Sequence, residues 1–202
     1  MPAAVYHFQK QGMSETKTES DDHLVLLCQQ GETQAFGLLV QRHMQRAYFI
    51  ALALTGSPDE ARDLSQEAFV RAYRAIAKYD PATGTFFTWY YRILRNLCFN
   101  FLRDCRRHAR PFSAIGETAL AQLAAPAEQN PQVLAERREL QEALWRALHA
   151  LKPAAREMIV LKDFQGMSYK EIAEALHCPL GTVMSRLFEA RRRLRELMED
   201  WL

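Results

Sequence analysis

The chain has 202 residues, 49% hydrophobic and 25% charged, the balance of a globular protein with room for one large or two small domains. Its formal net charge of +2 excludes a uniformly basic nucleic-acid coat. The apolar runs are short and broken by Gln, Arg or His, and no basic region followed by an apolar core opens the chain, so neither membrane insertion nor a secretory signal is expected.

Eight Gly and eight Pro fall between periodic segments, the punctuation of long helices joined by short turns. Residues 1–20 are polar and mixed and are expected to be disordered, with Met13 an alternative start to Met1. Ser20-Asp21-Asp22 caps a short helix that runs to Gly31. Thr33 opens a longer one, with Phe36, Leu39, Ala47 and Ile50 on one side, ending at Gly56. Ser57-Pro58-Asp59-Glu60 is a capping box with Pro at the first helical position, starting a helix through Leu64, Ala68, Phe69, Ala72 and Ile76. After the turn at Asp80–Gly84, a helix beginning near Thr85 reaches about Arg107. Residues 21–108 thus form one four-helix domain.

Periodicity fades over 109–131, a segment rich in Ala, Pro, Glu and Gln that reads as a flexible, extended linker. Residues 132–202 form a second helical domain. Its first helix carries Val133, Leu140, Leu144, Leu148 and Leu151, and Pro153 opens its second, which ends between Phe164 and Gly166. Ser168-Tyr169-Lys170-Glu171 is another capping box, His177–Gly181 a turn, and Thr182 to about Met198 a final helix. The expected fold is therefore all-α: two small helical domains, the second a helix-turn-helix.

Positive charge is concentrated in two places. Six Arg stand against one acid from Arg92 to Arg110, and five against one from Gly181 to Arg195. In the last helix Val183, Leu187, Ala190, Leu194 and Leu197 make an inward stripe, which turns Thr182, Ser185, Arg186, Glu189, Arg192 and Arg193 outward. The first turn of such a helix enters the major groove of duplex DNA. Arg186 offers a forked donor pair to guanine or phosphate, and Ser185 reaches base edges or phosphate. Glu189 can accept from cytosine or orient an arginine. A helical hairpin with a solvated basic face is the plainer alternative.

Segment 86–107 interleaves Phe, Trp and Tyr with Arg and Asn, a composition suited to single-stranded nucleic acid, where rings stack on bases and arginines hold the backbone. Phe86, Trp89, Ile93 and Leu97 share a seam and fit a core; Arg92, Arg95, Asn96 and Arg103 are the better candidates for contact. In the preceding helix Asp63, Gln66 and Glu67, with Arg71, form a polar face open to a basic partner, beyond what acids at a helix N-terminus require.

No CxxC pair occurs among Cys28, Cys98, Cys105 and Cys178, and no full ligand set accompanies Cys98, Cys105 and His108, so no metal or cofactor is expected, in a reducing cytosol. No zinc-protease motif, phosphate-binding glycine loop or nucleophile–base pair speaks for an enzyme. An autonomous helix-turn-helix regulator, dimeric on its operator, remains an alternative from these residues alone.

Taken together these segments resemble the extracytoplasmic-function (group IV) sigma factors of the sigma-70 family, over about residues 22–107 and 132–198. Asp63–Phe69 with Arg71 is similar to the family's polymerase-clamp helix, Phe86–Asn96 to its promoter-melting and −10-reading segment, and Asp163–Ala173 with Cys178–Arg186 to the helix-turn-helix that reads the −35 element. The resemblance implies a non-enzymatic initiation factor that binds core RNA polymerase at clamp and flap. It implies promoter contacts to the duplex −35 element through Thr182, Met184, Ser185, Arg186, Phe188, Glu189 and Arg192. Contacts to the single-stranded −10 element would come from Lys78, Tyr79, Trp89, Arg92, Arg95, Asn96 and Arg103, a flipped base lying beside stretch 77–85. Asp63, Gln66, Glu67, Phe69 and Arg71 would touch polymerase. A stress- or envelope-responsive regulon is implied, as is an anti-sigma partner, which when membrane-bound would hold this cytoplasmic protein at the inner membrane. Tyr90 stands where Leu is usual, Met184 where many relatives have a basic residue, and Glu189 where a basic or neutral one is common.

Overall fold

The computed structural model describes residues 19–107 and 131–201. Among them no strand occurs; eight α-helices follow one another, and we number them in chain order. The first four are α1 (Asp21–Gln29), α2 (Thr33–Thr55), α3 (Pro58–Ala75) and α4 (Phe86–Arg107). The second four are α5 (Pro131–Ala150), α6 (Pro153–Ile159), α7 (Tyr169–Leu176) and α8 (Leu180–Leu197). The expected linker, His108 and residues 1–18 lie outside the described residues.

The caps set the helix boundaries as the sequence suggests. Ser20 Oγ accepts from His23 N and starts α1, and Ser57 Oγ accepts from Glu60 N and starts α3. At α7 the box is reciprocal: Ser168 Oγ accepts from Glu171 N, while Glu171 Oε2 accepts from Ser168 N at 2.7 Å. Each such cap contributes about 1 kcal/mol by satisfying otherwise orphaned N–H groups. Helix α2 stops where Gly56 turns left-handed (φ 74°) and returns its N–H to Leu52 O. The last helix begins two residues earlier than expected, because Pro179 supplies the non-helical N-cap and its carbonyl takes the N–H groups of Thr182 and Val183. Residues Val160–Phe164 extend α6 as a π-helical turn.

Within α1–α4 the core is aromatic. Phe69 stacks on Tyr90 at 4.3 Å, Phe36 meets Phe69 edge-on, and Phe86 lies against Tyr90. The ring at position 90 is wholly buried, and its hydroxyl donates to Ser65 O, so a tyrosine fits this core by finding an acceptor on α3.

The two helical groups are not held apart. Their buried residues form one continuous cluster, with α4 lying on α7, and α2 against α5, α6 and the π-turn. Phe49 of α2 packs on Trp145 of α5 (5.9 Å) and on Phe164 (5.4 Å). Arg156 of α6, only 4% exposed, ties the groups together: Nη1 donates to Leu54 O (2.8 Å) and Ala53 O (3.2 Å), while Nε and Nη2 serve the carbonyls of Leu148, His149 and Leu151. These carbonyls lie in the last turn of α2 and at and just past the end of α5, where acceptors outnumber helical donors, which is why a buried guanidinium is tolerated here.

Candidate nucleic-acid interface

Helix α8 presents its expected faces. Val183, Leu187 and Ala190 are buried. The outward side carries Leu180, Met184 and Phe188, exposed by 50%, 53% and 68%, next to Ser185 and Arg186. Large apolar groups held in water at this density mark a contact surface. The arginines of α8 separate into two sets. Arg191 forks onto Asp163, Arg192 donates to Glu189 (2.6 Å), and Arg193 donates to Glu196 (2.8 Å). Arg186 and Arg195 have no ion pair among the described residues. Glu189 is thus partly neutralised by Arg192, and the free guanidinium nearest the helix N-terminus belongs to Arg186. The exposed Gly181 leaves that end of the helix open, where backbone N–H groups favour an anion.

Helix α4 behaves differently. Asn96, Asn100 and Arg103 are exposed, but Arg92 and Arg95 turn toward the second group. Arg95 forks onto the Glu157 carboxylate of α6 at 2.5 and 3.2 Å, and Tyr91 Oη donates to the same carboxylate. Arg92 Nη2 donates to Glu174 O at the end of α7 (2.7 Å), while its Nε is buried without an acceptor. Glu157 is 2% exposed. Burial opposes the charge on Arg95, but the Glu157 carboxylate more than offsets this and raises its pKa. Burial also pushes the Cys98 thiol up to about 12, helped by the Glu157 charge, so Cys98 is an unreactive core residue.

Ahead of α4 the turn at 76–85 is firmly held. Gln29 Nε2 donates to Ile76 O and Tyr79 O, Asp80 Oδ1 accepts from Ala82 N, and Gly84 adopts φ 130°. Tyr79 is a buried wall of this turn, its hydroxyl 3.0 Å from Gly84 O and its ring against Trp89 at 5.4 Å. Lys78 is exposed beside it. On α3, Asp63, Gln66 and Val70 are exposed and Arg71 Nε donates to Glu67 (2.7 Å), forming one polar face; Phe69 lies on the opposite, buried side. Among the described residues no group of three or more His, Cys, Asp or Glu could hold a metal ion, and no helix is long and apolar enough to cross a membrane.

Two family models match this chain: sigma-70 region 2 over residues 39–108, and sigma-70 region 4 over residues 141–194. The RNA polymerase sigma-H factor of Pseudomonas aeruginosa is 31% identical over 193 residues, covering 91% of this chain and 96% of that protein. The ECF RNA polymerase sigma-E factor of Escherichia coli is 36% identical over 185 residues, covering 90% and 95%. The chain belongs to the ECF sigma factors of the sigma-70 family. The fold of this sigma factor matches CnrH in complex with the cytosolic domain of CnrY, with a TM-score of 0.67 at 26% identity, covering 91% of this chain and all of that one. It also matches the sigma factor RpoE in complex with the anti-sigma factor NepR from Bartonella quintana, with a TM-score of 0.65 at 24% identity over 83% and 98%, a likeness of fold.

The region 2 match contains the polar face of α3, the held turn and α4; the region 4 match contains α7 and most of α8 of this sigma factor. Sequence reading missed Glu157, Tyr91 and Arg46, which join the two regions. Arg46 stacks on Phe87 (3.6 Å) and donates to Gln165 (3.1 Å). One signal was available: Arg156 and Glu157 stand at the head of the apolar run Met158–Leu161, an unusual place for two charges unless both are satisfied inside.

Proposed function

We propose that this sigma factor directs core RNA polymerase to promoters through three surfaces, without catalysing a reaction itself. The polar face of α3 (Asp63, Gln66, Glu67, Arg71, with Phe69 bracing it from beneath) docks on the clamp. The held turn and α4, through Lys78, Tyr79, Trp89, Arg92, Arg95, Asn96 and Arg103, take the opened non-template strand at −10. Helix α8, through Thr182, Met184, Ser185, Arg186, Phe188, Glu189 and Arg192, lies in the major groove at −35. Regions 2 and 4 serve as the two domains of this division, with residues 109–131 between them. An anti-sigma partner restrains the protein in the cytoplasm; the Bartonella quintana sigma factor RpoE forms a complex with the anti-sigma factor NepR.

One observation carries the reading. Helix α8 buries Val183, Leu187 and Ala190 and leaves toward its N-terminal end an unpaired Arg186 flanked by exposed Met184 and Phe188. That combination supplies a hydrogen-bonding fork for guanine or phosphate and apolar surface for thymine methyl groups. The test is run-off transcription with core polymerase on fragmented genomic DNA. New start sites that share one upstream element are expected, and weakened use of that element is expected for Arg186→Ala. Tight core binding without any specific transcript would refute the reading.

A further inference from the structure

Helix α1 lies ahead of the region 2 match, which begins at residue 39, and none of the three surfaces above includes it. Its inward side is anchored. Leu24, Val25 and Cys28 are buried, and Asp21 pairs with Arg42 and with His43 Nε2 of α2, the latter at 2.8 Å. His43 lies in turn against Phe86 and Phe87, the first residues of α4, at 5.6 and 5.4 Å. Asp22 and Gln29 stand two helical turns apart on one side of α1, and both reach the turn at 76–85. Gln29 Nε2 donates to Ile76 O (3.0 Å) and Tyr79 O (2.9 Å), so both amide protons are spent on that backbone. Asp22 Oδ1 accepts from Tyr79 Oη (3.2 Å), which also lies 3.0 Å from Gly84 O. One end of α1 thus holds the Tyr79 carbonyl and the other its hydroxyl. The turn has little to hold it from within. It consists of two three-residue 3-10 helices, Ile76–Lys78 and Pro81–Thr83, a geometry with poorer hydrogen bonds, and its bond from Gly84 N to Pro81 O is stretched to 3.4 Å.

We propose that α1 is a splint for the −10 turn: Gln29, assisted by Asp22, is a positioning residue that fixes the backbone of 76–85 in the shape that selects a −10 base. This rests on the reading of the held turn as a seat for the opened strand. A base taken out of its stack loses stacking energy, which only well-placed contacts offset. A seat built on a loop is as selective as its backbone is fixed, since a binding constellation loosened by about 1 Å loses its specificity. Gln29 suits this task because one side chain offers two N–H groups to the end of a short helix, where carbonyls run short of donors.

The experiment has two readouts and three variants of one residue. Gln29→Glu keeps the size of the side chain but removes both donors, Gln29→Ala removes the side chain, and Gln29→Lys keeps a long stem with several donors. Hydrogen exchange of the free full-length chain reads the turn itself. The Glu and Ala variants are expected to speed exchange at the amides of Tyr79, Thr83 and Gly84 by about tenfold, the worth of two ordinary hydrogen bonds, with the Lys variant close to wild type. Core polymerase carrying each variant then transcribes a promoter library randomised over the −10 element. The wild type and Gln29→Lys should share a preference for one base at the seated position, and Gln29→Glu and Gln29→Ala should lose it, with −35 choice and core affinity unchanged. Unchanged exchange in the turn would overturn the splint. Faster exchange with the base preference intact, or transcription lowered equally on every promoter, would overturn the positioning role. If Lys78→Ala also leaves the −10 preference intact, the assignment of the turn to the opened strand falls as well.

Discussion

Helices α4 and α8 are both arginine-rich amphipathic helices, yet one is covered and the other open. On α8 the charge near the N-terminus is unspent, with Arg186 free and Met184 and Phe188 in water. On α4 two of the arginines are consumed by Glu157 and by the end of α7. Composition predicts that a helix is cationic; only the neighbouring elements decide whether that charge faces solvent. A basic stretch is therefore a statement about potential partners, and one of those partners can be another part of the same chain.

The largest expected effect lies under the covered helix. Tyr90→Ala empties a fully buried ring site stacked on Phe69 and removes its hydrogen bond to Ser65 O, so it should cost about 3–5 kcal/mol in urea unfolding. A loss well under 1 kcal/mol would mean that α4 is not seated as described. On the open helix the loss should be functional. Arg186→Ala should leave the unfolding midpoint within about 0.5 kcal/mol of wild type. It should weaken promoter use by about 1–3 kcal/mol, roughly 5- to 150-fold, with core affinity unchanged. Unchanged promoter strength would remove α8 as the reading helix.

A pH titration sharpens the comparison at the junction. Burial, with Arg156 adding to it, lowers the His149 pKa to about 3 from 6.5. The unfolded chain then binds the extra proton first, so this stability is complete above about pH 6.5 and is lost as pH falls toward 3. About 1 kcal/mol should go between pH 7.5 and 5.5, and His149→Gln should flatten that slope. The Asp21 pKa is also lowered, where bonds to His43 and Arg42 outweigh burial, and that contribution is lost only below the ordinary carboxylate range. The smallest effect belongs to Arg193→Gln. Its charge is already matched by exposed Glu196, so both stability and transcription should move by less than about 0.5 kcal/mol.

Most of the fold was legible because its signals are local. Ser57, Ser168 and Gly56 sit at the helix ends where their caps and left-handed turn are needed, and the stripe Val183–Leu187–Ala190 fixes which side of α8 faces out. The site was legible to the extent that it depends on one helix: Met184, Ser185, Arg186 and Phe188 all emerge exposed. What escaped was relational. Arg92 and Arg95 read as free contacts, since nothing within α4 shows that the last turn of α7 and Glu157, both more than sixty residues away in the chain, would meet them. Phe69 and Tyr79 were expected to touch polymerase and the −10 strand; the stack on Tyr90 and the bond at Gly84 place both rings inside. Two helical domains joined by a linker were legible, but nothing in either domain's own pattern showed that the described groups would share one buried cluster.

Arginine-selective labelling followed by mass spectrometry tests the open-and-covered contrast most directly. In the free chain Arg186 and Arg195 should react fast and Arg92, Arg95 and Arg156 slowly; on core polymerase with promoter DNA, Arg186 should become protected. Equal reactivity of Arg95 and Arg186 in the free chain, or an Arg186 still reactive in the promoter complex, would contradict it.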